Sequence, residues 1–147
     1  QRRRPVIRHA ASSFQSYKKI ATQTASPGQL VLMLFDGAIR FLEQAQAGFA
    51  HDDPGEFNLT INNNVQRAQA ILDELNGSLD MTRGGELSHH LRSLYNYLDR
   101  RLDESNRTKT PEGIRESIER LGSLRSAWAG MLVGDTEPAP TLTAAAA

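Results

Sequence analysis

Three times in 147 residues the chain sets a capping residue directly before a proline: Ser26-Pro27, Asp53-Pro54 and Thr110-Pro111. A short oxygen-bearing side chain accepts orphan N–H groups in the first turn of a helix. Proline suits that turn because its missing N–H would have had no partner there. Gln29 and Glu56 stand three residues after Ser26 and Asp53, which completes a capping-box pattern, and Glu112 repeats its first half. Gly84-Gly85-Glu86 supplies a fourth break, with an acid at the positive end of the segment that follows. Punctuation of this kind is hard to reconcile with a sheet.

The apolar spacing agrees. After Ser26 the stripe is Val31, Leu34, Ala38, Leu42, Ala45 and Phe49; after Asp53 it runs from Phe57 through Ile61, Val65, Ala68 and Leu72 to Leu79. After Gly85 it is Leu87, Leu91, Leu94, Leu98 and Leu102, and after Thr110 it runs from Ile114 through Leu121 to Trp128 and Met131. Steps of three and four are the helical period, so LVLMLF after Gln29 reads as helix and not as a buried strand. Four such helices with short loops predict an all-α, antiparallel four-helix bundle. Ser13 to about Ala21 carries Phe14 and Tyr17 on one side and predicts a short additional helix or cap. The tail TEPAPTLTAAAA has little to bury and reads as disordered. The expected organisation is a basic extension over 1–12, a bundle over 13–133 and a tail over 134–147.

The first helix also carries Leu30, Met33, Gly37 and Phe41 on an adjacent face, and the second and third add Leu59, Ile71, Tyr95 and Tyr97. A bundle helix needs one apolar face about 100° wide, so this is a surplus. For the first helix the surplus is explained by a central position, packed on both sides. For the second and third it predicts a groove between them, suited to an incoming amphipathic helix.

Catalysis finds no support. There is no cysteine, which excludes disulfides and thiolate chemistry. Glu86-Leu87-Ser88-His89 spells one Glu-x-x-His, but a di-iron bundle needs a second copy and further inward carboxylates. His89 and His90 point about 100° apart on a helix and do not chelate together. No phosphate loop or nucleophile elbow occurs. The sequence therefore predicts no enzyme, no metal and no cofactor. The formal net charge of zero hides six Lys/Arg and no acids in the first 25 residues, against 11 basic and 17 acidic residues in the rest. An arm docking on its own acidic body is the favoured reading; unspecific phosphate contact by the arginines is the alternative, and specific nucleic-acid binding is not expected. QRRRPVIRHAASS has no apolar segment to make it a secretory signal, and no run reaches a membrane span.

The segment SYKKIATQTASPGQLVLMLFDGAIRFLEQA, then SLD, GGE, LYNYLDRRL and a late tryptophan in SLRSAWAGML, occur in this order over about residues 14–133. This combination resembles FliS, the family of flagellin-specific export chaperones. The resemblance implies a cytoplasmic helical bundle that binds the disordered carboxy-terminal segment of flagellin, blocks premature polymerisation and hands the client to the flagellar type III export gate. It also implies that the amino-terminal segment, here Phe14, Tyr17 and Ile20, lies over the groove when the client is absent. The client-facing residues expected on this basis are Ile61, Asn64, Val65, Ala68, Ile71 and Leu72 of the second helix, with Leu91, Leu94, Tyr95 and Leu98 of the third. Each also has a core reading, the better one for Leu72, Leu91 and Leu98. Tyr95→Ala is expected to weaken client binding with little change in helicity. The reading from another class is a structural bundle that self-associates through the same surface.

Overall fold

The computed structural model describes residues 26–134. The expected amino-terminal cap helix and the carboxy-terminal tail lie outside the described residues. Within them are α1 (Pro27–Gly48), α2 (Pro54–Gly77), α3 (Gly85–Thr108) and α4 (Glu112–Gly134), and no strand. The all-α expectation holds.

The helix starts follow their caps, with one difference. Ser26 accepts from the Gln29 N–H while the Gln29 side chain returns to the Ser26 N–H, a complete capping box. Asp53 accepts from the Glu56 N–H at 2.9 Å, but Glu56 does not reach back. Its carboxylate lies 3.4 Å from His51 Nδ1. Each cap of this kind is worth about 1 kcal/mol. At the far end of α3, Lys109 takes the left-handed conformation usually given to glycine (φ 53°). Its own ammonium, bonded to the Asn106 carbonyl and to Asn106 Oδ1, caps the last turn.

Each helix packs antiparallel on the next, and α4 closes the ring on α1. The α1–α2 contact is the tightest, because glycines let the backbones approach: a Cβ on Gly37 would come within 3.2 Å of Ile71, and one on Gly48 within 2.9 Å of Thr60. On its other flank α1 meets α4 through Asp36 and Arg125 (2.7 Å). This explains the wide apolar surface of α1. Leu34 and Phe35 are buried, while Leu30, Val31, Leu32 and Met33 are partly covered, and Arg67 lies over the Phe41 ring. The core comprises Leu34, Phe35, Ala38, Leu42 and Ala45 of α1, Ile61, Val65, Ala68, Ile71, Leu72 and Leu75 of α2, Tyr95, Leu98 and Leu102 of α3, and Ile114 and Leu121 of α4. No helix among the described residues is long and apolar enough to cross a membrane.

Candidate functional site

The expected groove between the second and third helices is not open. Ile61, Val65, Ala68, Ile71, Leu72 and Leu98 are each at most 2% exposed, enclosed by the bundle's own side chains. The physical reason is that their stripe points inward, so the surplus read from it is absorbed by α1 as well as by α3. Asn64 is 7% exposed and donates to the Thr60 carbonyl, one turn back in its own helix; its Oδ1 is buried without a partner. Leu91 and Leu94 are partly buried. Tyr95 is only 3% exposed, and burial pushes its phenol well above the usual range. Phe14, Tyr17 and Ile20 lie outside the described residues.

The outer edge of the α2–α3 seam is bridged by polar side chains. Asn106 Nδ2 donates to Asn62 Oδ1 (2.9 Å), Gln69 Nε2 to Asp103 Oδ1 (2.8 Å), and Asn76 Nδ2 to Asn96 Oδ1 (2.9 Å). Arg92 adds a bond from Nε to Asn76 Oδ1 at 3.0 Å.

The open space is elsewhere, at one end of the bundle. An antiparallel ring brings together the start of α1, the end of α2, the start of α3 and the end of α4. There they enclose an apolar pocket of about 240 Å³. Val31 and Phe35 of α1 form one wall, and Leu124, Ala127, Trp128 and Met131 of α4 another. Leu87, Ser88, Leu91 and Tyr95 of α3 face Leu75, Ser78, Leu79 and Asp80 at the end of α2 and in the following loop. Thus Leu91 and Tyr95, of the ten expected residues, do line a pocket, though not a groove between two helices.

The loop wall is held by local chemistry. Asp80 Oδ1 accepts the Thr82 and Arg83 N–H groups (3.0 and 2.8 Å), while the Asp80 carbonyl accepts Gly84 N–H and the Ser88 hydroxyl (2.8 and 2.9 Å). Only glycine fits at position 84, because a Cβ there would land on Ser88 Oγ. Gly85 has φ +57°, the left-handed region. Across the pocket, Trp128 Nε1 donates to the Gly28 carbonyl at 2.8 Å, which pins the end of α4 to the start of α1. The indole therefore offers its apolar body to the pocket while its polar edge is satisfied.

No carboxylate pair or histidine in this pocket is placed for chemistry, and among the described residues no group of three His, Cys, Asp or Glu could hold a metal ion. His89 and His90 are exposed. What the pocket can do is take apolar side chains from something else. The sequence reading missed Val31, Phe35, Leu79, Leu87, Leu124, Ala127 and Met131 as lining. A signal was available: the bundle topology carries SPG, SLD, GGE and the tryptophan to the same end.

Fold and site together define a small helical bundle with an apolar receptacle at one end and no catalytic machinery in it. Residues 10–134 match the family model described as flagellar protein FliS. The chain is 34% identical to the flagellar secretion chaperone FliS of Bacillus subtilis (strain 168) over 116 residues, covering 78% of this chain and 82% of that protein. It is 33% identical over 128 residues to the protein of the same name from Salmonella typhimurium, covering 82% and 90%. The chain belongs to the FliS family, a family of flagellar secretion chaperones.

Proposed function

We propose that this protein binds the disordered carboxy-terminal segment of flagellin in the cytosol, keeps it from polymerising early and delivers it to the flagellar type III export gate. The observation that carries the reading is the apolar pocket walled by the SLD–GGE loop and Trp128, which are the elements that mark the family resemblance. A client segment that is unstructured when free orders on binding, which costs roughly 2–5 kcal/mol of the gross interaction. Deep apolar anchors repay that cost best, and a pocket of this size accepts one or two large side chains from a helix laid across its mouth. Leu91 and Tyr95 remain client-facing residues in this reading, and Leu94, partly buried, lies outside the pocket lining. Of the others, Ile71 and Leu72 lie in the core within a turn of Leu75 at the pocket wall, whereas Ile61, Asn64, Val65, Ala68 and Leu98 pack further from that end, Ile61 against Gly48.

Ser26 opens α1 at the pocket end, so the preceding segment with Phe14, Tyr17 and Ile20 is within chain reach of the same pocket. It competes there with the client and lowers apparent affinity by the fraction of molecules it closes. The reading needs no cofactor, no nucleic acid, no membrane insertion and no catalysis.

The test uses Leu87→Asp. Position 87 lies in the first turn of α3, where an acid favours the helix, yet the carboxylate would enter an apolar pocket. Calorimetry with a flagellin carboxy-terminal peptide should show one peptide per wild-type chain. The variant should bind about 2 kcal/mol more weakly, as at a hot spot, with unchanged helicity. Equal binding by the two proteins would place the client elsewhere, and self-association without peptide uptake would favour a structural bundle.

A further inference from the structure

The bonds across the α2–α3 seam form a repeat. On α2 the bonded residues are Asn62, Gln69 and Asn76, and on α3 Asn106, Asp99 and Arg92 stand opposite them, both rows stepping by seven. Asp103 and Asn96, each one turn further along α3, complete the second and third rungs. A seven-residue repeat is the period at which one side of a helix stays against its partner in a coiled coil, where polar positions fix register.

The apolar stripe behind the ladder does not fix register by itself. Leucines recur along α3 at 87, 91, 94, 98 and 102, so a slide of one turn still sets leucine in the places of Leu91, Leu98 and Leu102, although Arg83 and His90 would come to those of Leu87 and Leu94. Two rungs tolerate the same slide, since Asp99 would replace Asp103 opposite Gln69 and Arg92 would replace Asn96 opposite Asn76; the first does not, because Asn62 would face Leu102, a residue buried in the core. The slide would also carry Leu91 and Tyr95 about 5.4 Å past Leu75 and Leu79, and these four residues line the pocket.

We propose that Asn62 and Asn106 are positioning residues: their rung selects the register of α3 on α2, which the Gln69–Asp103 and Asn76–Asn96 rungs then hold, and so shapes the pocket. This rests on the pocket being the client site. Its test, however, needs no client.

Trp128 is the chain's single tryptophan and lines the pocket, so its indole N–H gives one amide-correlation peak that reports pocket shape. In the full chain, all six rung residues are changed to alanine, which removes both partners of each bond and favours helix. The expected result is wild-type helicity with several Trp128 indole peaks in place of one. Restoring Asn62 and Asn106 alone should collapse them to the wild-type peak, whereas restoring Gln69 and Asp103 alone should not. A single unshifted indole peak in the six-alanine protein would overturn the proposal. So would loss of helicity, because the ladder would then carry stability and not register. A flagellin peptide titration separates the two readings. Several peaks with undiminished peptide binding would uphold the ladder and remove the pocket as the client site, whereas one unshifted peak with weakened binding would do the reverse.

Discussion

Gly113 shows how one residue sets the spacing of two helices. A Cβ there would lie 2.5 Å from the Arg101 carbonyl oxygen and 2.5 Å from Ser105 Oγ. Backbone does not yield as a flexible side chain does, so Gly113→Ala should destabilise by about 1–3 kcal/mol in urea unfolding. Ser105 beside it is buried, and its hydroxyl has no hydrogen-bond partner. Ser105→Ala should therefore be neutral or slightly stabilising in the same measurement, since no bond is lost and an unsatisfied group is removed. Tyr95 is a different case. A ring 3% exposed in the core costs about 3–5 kcal/mol on truncation to alanine. Tyr95→Ala will thus lower stability before any client is added, which confounds a binding comparison even where helicity is kept, and Leu87 at the pocket wall is the cleaner probe.

Among the elements, two contacts of α3 respond to pH in opposite senses. Glu116 of α4 accepts from the Tyr97 hydroxyl (2.8 Å) and Arg101 Nε (3.0 Å), which hold its carboxyl below the usual range. Stability from this contact is complete above the ordinary glutamate value and fades as pH falls through the lowered one. Asp99 runs the other way. Burial, with the charges of Asp103 and Asp73 nearby, raises its pKa against the opposing effects of Gln69 and Arg100. A raised carboxyl binds its proton more tightly in the folded protein, so stability falls as pH rises from the unfolded value through the folded one, and the full cost of the ionised group is present above it. Asp99→Asn should raise the melting temperature at neutral pH and lose that advantage below the unfolded value of 3.8. An equal gain at both pH values in calorimetric scans would contradict the assignment. The helices themselves were legible from caps and period, because both signals are local. The return half of the second capping box was not, since only the folded chain brings His51 to Glu56.

For the whole molecule, the ring of four antiparallel helices is the property that matters most. It gathers four separated sequence elements at one end and leaves a pocket there, while the opposite seams close on glycine, amides and ion pairs. A partner that binds only the folded bundle stabilises it by mass action, about 2.7 kcal/mol at a hundredfold excess over Kd. A flagellin carboxy-terminal peptide should accordingly raise the melting temperature of the wild type and have little effect on Leu87→Asp. An equal rise for both would show binding away from this end.

The amino-acid sequence alone determined the starts and apolar stripes of the four described helices, the lack of any thiol chemistry and the family. These rest on patterns within a few turns of chain or on motif order. It did not determine which apolar residues stay accessible. Ile61 and Leu91 look alike in periodicity, yet one is sealed between helices and the other lines a pocket. Accessibility is set by how closely neighbouring backbones approach, and that depends on Gly37 meeting Ile71, Gly48 meeting Thr60 and Asn62 meeting Asn106. Only the tertiary structure brings those pairs together.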